Sequence, residues 1–167
     1  MVAVAVGTSS THWRAASVVA AVLGFAAVGC VWWLYFDRQA SVSLRGSTMS
    51  VVVYSYAHIP LLIGLAAMSA GLGLLIERAG ERHLGTGASV ALLGGVALYL
   101  LSLIGTRTVT VHQAHRLGVS LKLAAAAIIL GLIAAESALP PVAVAAALAT
   151  VLAAVVFVEH TRLSSSV

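Results

Sequence analysis

The sequence predicts an all-α protein, a polytopic transmembrane helical bundle with about five spans. Of its 167 residues, 61% are hydrophobic and 8% are charged, whereas a soluble domain carries about 25% charged residues. The mean hydropathy is +1.08, and several apolar runs approach the ~20 residues that cross a hydrocarbon core. The runs are long rather than short and alternating, which excludes a transmembrane barrel.

Five apolar runs form the predicted bundle at 15–158, between an N-terminal polar or interfacial segment at 1–14 and a C-terminal tail at 159–167. The aromatic stretch VWWLYFD ends the first run, and serines and threonines that can cap a helix precede the second. Charges and glycines in ERAGERHLGTG separate the second from the third, and TVTVHQAHR separates the third from the fourth. Two prolines open the fifth, a favoured first-turn position. The predicted spans are 15–36, 50–76, 88–104, 117–135 and 141–158.

The distribution of basic residues predicts the orientation. Cytoplasmic loops carry an excess of Lys and Arg. With five spans, one side of the membrane holds six of the nine basic residues and the other holds three. We therefore expect the N-terminus outside and the C-terminus in the cytoplasm. The six are Arg38, Arg45, Arg107, Arg116, Lys122 and Arg162, and the three are Arg14, Arg78 and Arg82.

Stripes of small or polar residues predict which helix faces meet in the interior, because membrane helices pack through small residues. Each of four predicted helices has such a stripe, and in the second helix its members recur at spacings of three and four. We expect these stripes inside the bundle and the Leu, Ile and Val side chains in lipid. The stripes are Ala26, Gly29, Cys30, Trp33 and Asp37; Ser55, His58, Leu62, Ala66, Ser69 and Gly73; Ala88, Ala91, Gly95 and Ser102; and Ser120, Ala124, Ala127, Gly131 and Ala135.

The run VVVYSYAHIPLLIGLAA holds the most unusual polar residues. Tyr54 and Tyr56 fit the headgroup level, His58 is about two turns deeper, and Pro60 frees a backbone carbonyl near Tyr56. One interpretation is a kinked packing helix in which His58 bonds a carbonyl or a serine, and the other is a functional site. If the first two helices pair with Asp37 level with Ser50, His58 faces Gly29 and Cys30. Asp37 is then ~12 Å shallower than His58.

The remaining polar residues do not form a complete active site, so no enzyme is predicted. Trp32, Trp33, Tyr35 and Phe36 are typical of an aromatic belt that Asp37 ends. His112 and His115 lie three apart, but zinc needs three or four ligands, and we expect no metal, cofactor or nucleic-acid site. The single cysteine, Cys30, excludes an internal disulfide. Glu136 and Glu159 at helix ends are expected to be solvated, and Lys122 to snorkel.

Three segments together are similar to a known family. WWLYFD, YSYAHIPLLIGLAAMSAGLGLLIE and LLGGVALYLLSLIG resemble the bacterial low temperature requirement protein A (LtrA-like) membrane proteins. The opening motifs of that family's N-terminal half do not occur, so the chain is expected to correspond to the C-terminal half. The resemblance implies a multi-pass protein of the bacterial inner membrane. It also implies that Trp33, Asp37, Tyr56, His58 and Pro60 matter, without naming a reaction.

Two functions are therefore expected. The first is a transporter-like or channel-like membrane protein, or half of one, since polar residues on small-residue faces and a proline in a helix are typical of substrate sites in bilayers. The alternative is a structural or assembly membrane protein that binds partner helices or lipid. In either case we expect membrane lipid as a partner, and a homo-oligomer or a second membrane polypeptide.

Overall fold

The computed structural model describes residues 15–39, 48–110 and 116–164, and the described residues contain helices joined by short turns, with no strand. Five helices follow one another, and the third contains one π-helical turn. This confirms the predicted all-α membrane bundle. The helices are α1 (Ala15–Gln39), α2 (Thr48–Glu77), α3 (Thr86–Ser89, the π turn Val90–Gly94, and Gly95–Thr110), α4 (Arg116–Ala134) and α5 (Pro141–Ser164), with a 3-10 turn at Glu136–Ala138.

Four of the five helices are long and apolar enough to cross a membrane. In α4 the apolar part, Gly118–Ala134, is shorter. At 1.5 Å per residue it measures about 25 Å, less than a hydrocarbon core of about 30 Å. The fourth predicted span, 117–135, therefore corresponds to a helix whose apolar part is shorter than the other four spans. The four long spans are Ala15–Phe36, Ser55–Glu77, Thr86–Thr106 and Pro141–Thr161.

Helix α3 is the central helix of the bundle. In its apolar window 61% of the residues are buried, against 28% to 39% in the other three long spans. It packs most extensively against α2 and also against α4. Helix α1 packs mainly against α5, and α4 touches α5, while the α1–α2 contact is small.

Glycines bring the backbones of α2 and α3 into direct contact. A Cβ atom added at Gly71 would lie 2.3 Å from the backbone nitrogen of Leu92. One added at Gly64 would lie 2.7 Å from the carbonyl oxygen of Gly95. Because later residues of α2 pair with earlier residues of α3, the two helices are antiparallel. Small residues allow this close approach, as is usual between membrane helices.

The predicted interior stripes are confirmed in α3 and wrong in the other helices. In α3 the residues Ala88, Gly95 and Ser102 are buried, but most stripe residues of α1, α2 and α4 are exposed or half-buried. Large apolar side chains fill those interior faces instead. Glycines meet backbone atoms of the neighbouring helix between α2 and α3, at Gly64, Gly71 and Gly95. The exposed stripe residues are Ala26, Gly29, Trp33, Ser55, Leu62, Ala66, Ser120, Ala124, Ala127 and Gly131.

The helix directions define two ends of the bundle. The C-terminal ends of α1, α3 and α5 and the N-terminal ends of α2 and α4 share one end, which we call the His58 end. Contacts between Tyr35 and His58, and between Trp33 and His160, lie there. The opposite, Glu136 end holds the 3-10 turn and the start of α3, joined by a bond between Thr86 and Glu136.

Candidate functional site

His58 is hydrogen-bonded to Tyr35 across the α1–α2 contact. Tyr35 Oη and His58 Nε2 are 3.2 Å apart, and the two half-buried rings meet edge-on with centroids 6.3 Å apart. The intramembrane histidine of the sequence therefore has a tyrosine partner on the neighbouring helix.

The prediction that His58 lies near Gly29 and Cys30 is wrong in register. Its partner Tyr35 lies six residues further along α1 than Gly29, about 9 Å along the axis. A Cβ atom added at Gly29 would meet no atom within 4 Å. The prediction assumed that α2 begins at the height where α1 ends. In the structure Gln39, the last residue of α1, is level with Tyr54 of α2. Helix α2 therefore starts about 9 Å beyond the end of α1.

A groove of about 310 Å³ runs between α1 and α2 beside this hydrogen bond. Its walls are aromatic and aliphatic, and the lining side chains that carry a polar atom are Trp32, Tyr35, His58 and Tyr99. This composition suits an apolar ligand held by a few polar groups. The lining residues are Val28, Val31, Trp32, Tyr35, Phe36, His58, Leu61, Leu62, Leu65 and Tyr99.

Tyr99 of α3 forms the floor of the groove, and the sequence analysis missed it. Its hydroxyl donates a 2.7 Å hydrogen bond to the Val31 carbonyl of α1, and the side chain is 1% exposed. The bond therefore ties the central helix to α1. A tyrosine in the middle of an apolar span was the available signal, because a buried tyrosine hydroxyl usually finds a partner.

The other residues singled out from the sequence are not gathered at the groove. Trp33 is exposed and meets His160 edge-on, with centroids 6.4 Å apart, so it belongs to the α1–α5 contact. Tyr56 is 67% exposed. Pro60 is half-buried, and α2 continues as a helix through it. The side chains of Asp37 and Tyr54, the segment 1–14, His112 and His115 lie outside the described residues.

A buried ion pair joins α4 and α5 near the His58 end. Lys122 Nζ donates a hydrogen bond to Glu159 Oε1, and the two side chains are 1% and 3% exposed. The predictions that Lys122 snorkels to water and that Glu159 is solvated are therefore wrong. Each charge neutralises the other, which lets both lie inside an apolar bundle. The signal in the sequence was a lysine early in α4 and a glutamate late in α5, which meet if those helices are antiparallel.

Glu136 is also bonded rather than freely solvated. Its carboxylate accepts hydrogen bonds from Thr86 Oγ1 at 2.8 Å and Ser89 Oγ at 2.9 Å, and the residue is half-buried. The contact places a negative charge at the first turn of α3, where the helix dipole favours it. The two hydrogen bonds of Glu136 therefore hold the 3-10 turn against α3.

The described residues hold no cluster of three or more His, Cys, Asp or Glu side chains that could bind a metal ion. Two polar centres can carry chemistry in this part of the chain: the Tyr35–His58 pair at the groove and the Lys122–Glu159 pair. Both lie between helices and toward the same end of the bundle. Hydrogen bonding and proton exchange are the chemistry available to these groups.

Comparison with known proteins identifies one family. The model described as bacterial low temperature requirement A protein (LtrA) matches residues 1–157. No curated protein and no solved structure matches the chain.

Proposed function

The chain belongs to the LtrA family, and we propose that it is a transporter-like or channel-like protein of the bacterial inner membrane, or one subunit of such a protein. The family and the apolar helices support an integral membrane protein. The buried Lys122–Glu159 pair is the observation that supports a transporter-like or channel-like function. Ionisable residues inside membrane spans are costly and usually mark ion, proton or substrate pathways.

The chemistry of the pair suits proton movement. As Lys⁺ and Glu⁻ the two groups are together neutral, and they stay neutral together if the proton passes from Nζ to the carboxylate. A proton that binds the Glu159 carboxylate leaves the pair neutral if Lys122 Nζ releases its own proton, so that one proton enters the pair and one leaves it. The shortness of α4 supports access, because a helix shorter than the bilayer thins the membrane locally and brings water nearer.

Proton flux into liposomes tests this function. Purified protein is reconstituted with a trapped pH-sensitive dye, and a pH gradient is imposed. We expect wild-type vesicles to lose the gradient faster than protein-free vesicles, and Glu159→Gln to slow that loss. Glu136→Gln is the matched control, since it makes the same change at the other end of the bundle, where the amide oxygen can accept one hydroxyl bond and the amide NH2 can donate to the other hydroxyl. Equal rates with and without protein would contradict proton transport.

The second candidate function is that of a structural or assembly protein, and a different observation favours it. Small residues on α1 and α4 are exposed in the monomer, among them Gly29, Ala124, Ala127 and Gly131. Cβ atoms added at Gly29 and Gly131 would meet nothing within 4 Å. Such faces let a second helix approach closely, which suits a homo-oligomer or a second membrane polypeptide.

The oligomeric state in detergent tests this candidate. If the α4 face is an interface, Gly131→Leu should shift the protein toward monomer in light scattering. Ile128→Leu, on an exposed position of the same helix, should leave the mass unchanged. A wild-type protein that is a stable monomer and captures no membrane partner would contradict an assembly role.

A further inference from the structure

The groove between α1 and α2 begins near the membrane surface and runs into the hydrocarbon. Tyr35 precedes the charged residues Asp37 and Arg38 by two and three positions, and His58 is level with Tyr35. Their hydrogen bond therefore lies close to the headgroup boundary at the His58 end. The lining residues extend inward to Val28 and Leu65, roughly 10 Å deeper at 1.5 Å per residue.

Helices α1 and α2 are in close contact on the Glu136 side of the groove. A Cβ atom added at Gly24 would lie 2.4 Å from Leu72 Cδ1. The α1–α2 contact as a whole is small, and the groove lies between the Gly24–Leu72 contact and the Tyr35–His58 hydrogen bond. The rim residues Trp32, Phe36 and Leu62 are 57%, 51% and 60% exposed. Since they belong to membrane spans, the groove opens sideways into the bilayer.

The shape and lining of the groove select its occupant. A volume of about 310 Å³ is at the small end of ligand sites, and it suits a flexible chain better than a bulky ring system. Water is disfavoured along most of its length, because a stable water needs two to four polar partners. The groove is continuous with the lipid-facing surface, so the hydrocarbon that reaches it is an acyl chain.

The excess of basic residues at the His58 end favours one class of headgroup. Apart from the paired Lys122, five of the nine basic residues of the chain lie, by sequence, near the helix ends or in the connections of this end, against one acid other than Glu159, which is Asp37; the five are Arg38, Arg45, Arg107, Arg116 and Arg162. Basic residues next to membrane spans attract anionic phospholipids. Tyr35 and His58 add groups that can bond the oxygens of an ester or a phosphate.

We propose that this groove binds an anionic phospholipid, with one acyl chain between α1 and α2 and the headgroup beside Tyr35 and His58. The site is separate from the Lys122–Glu159 pair and goes beyond the proposed transport function. It would hold the lipid during purification, while the other boundary lipids exchange.

Native mass spectrometry tests the site with two neighbouring substitutions. Leu62 lines the groove and Ile63 does not, although both are exposed. Protein is incubated with equal amounts of phosphatidylglycerol and phosphatidylethanolamine and then stripped with detergent. We expect wild type and Ile63→Trp to retain one phosphatidylglycerol per chain, and Leu62→Trp to lose it. No retained lipid on wild type, or equal retention by both variants, would overturn the site; equal retention of the two lipids would overturn the anionic headgroup.

Fluorescence quenching provides an independent measurement that needs no change in the groove. A chain with Trp13→Phe and Trp33→Phe leaves Trp32, at the rim, as the single tryptophan. Brominated phosphatidylglycerol should quench Trp32 more strongly than brominated phosphatidylethanolamine at the same mole fraction. Indistinguishable quenching by the two lipids would count against a site that selects an anionic phospholipid.

Discussion

Replacing Gly71 with alanine should separate the two helices at the centre of the bundle. The added Cβ would lie 2.3 Å from the Leu92 nitrogen, 2.6 Å from its Cα and 2.7 Å from its Cβ. Nonbonded heavy atoms prefer about 3.5 Å or more, so α2 and α3 must move apart by about 1 Å. Backbone atoms cannot rotate away as a side chain can. The substitution therefore opens the most extensive helix contact in the protein.

Two opposing effects determine how much Gly71→Ala changes the free energy of unfolding. Overpacking a tight interior typically costs about 1–3 kcal/mol, and this contact with backbone belongs at the upper limit. Alanine in a helix gains about 1 kcal/mol over glycine. We therefore expect Gly71→Ala to lower the free energy of unfolding by about 2 kcal/mol. At Gly29, where an added Cβ would meet nothing within 4 Å, the propensity gain acts alone and Gly29→Ala should stabilise by up to about 1 kcal/mol.

Denaturant unfolding in mixed micelles measures both variants against wild type. The expected order of stability is Gly29→Ala, wild type, Gly71→Ala, with Gly64→Ala also below wild type, because its added Cβ would lie 2.7 Å from a backbone oxygen. If Gly71→Ala proved as stable as Gly29→Ala, the close α2–α3 packing would be refuted.

Three further changes test the polar contacts and the orientation. Lys122→Met should destabilise the fold by about 3–5 kcal/mol, because it leaves Glu159 buried without its partner, and the double variant with Glu159→Met should recover most of that loss in the same unfolding assay. Tyr99→Phe removes one buried hydrogen bond and should lower the free energy of unfolding by about 1 kcal/mol. Reporter fusions after Arg45 and Val167 should both show cytoplasmic exposure, and a periplasmic signal at Val167 would reverse the proposed topology.

The fold class could be predicted from the sequence because it depends on composition and length. A chain with 8% charged residues cannot cover a soluble globule of this size, and runs of about 20 apolar residues fit a bilayer. The helix positions follow for the same reason. The fourth span was predicted at 117–135, and the apolar part of α4, Gly118–Ala134, is shorter than the other four spans.

Which helix faces point into the bundle could not be predicted for α1, α2 and α4, because small residues occur both at helix contacts and on lipid-facing surfaces. Ala and Gly are needed where backbones touch, as at Gly64 and Gly71, but lipid tolerates them equally well on the outside. Gly131 shows the second case, with nothing within 4 Å of an added Cβ. Which use applies depends on the neighbouring helix, and a single sequence does not specify its distance.

The candidate site was predicted only in part. His58 was identified from the cost of a histidine in a span, but its partner required the register of α1 against α2. The ion pair was missed because a charge near a helix end can reach water. Only the antiparallel contact of α4 with α5 brings Lys122 and Glu159 together.

The contacts divide the bundle into two packed units, and this division bears on the proposed transport. Helices α2, α3 and α4 form one unit, and α1 with α5 forms the other, because contacts within each are more extensive than those between them. Polar contacts between described residues cross the boundary, among them Tyr35–His58, Tyr99 to the Val31 carbonyl, and the Lys122–Glu159 pair.

We infer that the boundary between these units is the part that moves if the protein alternates between two states. A neutral hydrogen bond contributes only about 1 kcal/mol to stability. Breaking the Tyr99 hydrogen bond at the boundary therefore costs less free energy than separating the glycine-packed backbones of α2 and α3. The ion pair is the exception, and a proton or cation that binds Glu159 would weaken it. Binding of a proton or cation at Glu159 would then couple transport to the opening of the boundary. The Tyr99→Phe measurement bears on this, since a loss of several kcal/mol would mean that Tyr99 holds a continuous core rather than a boundary that can open.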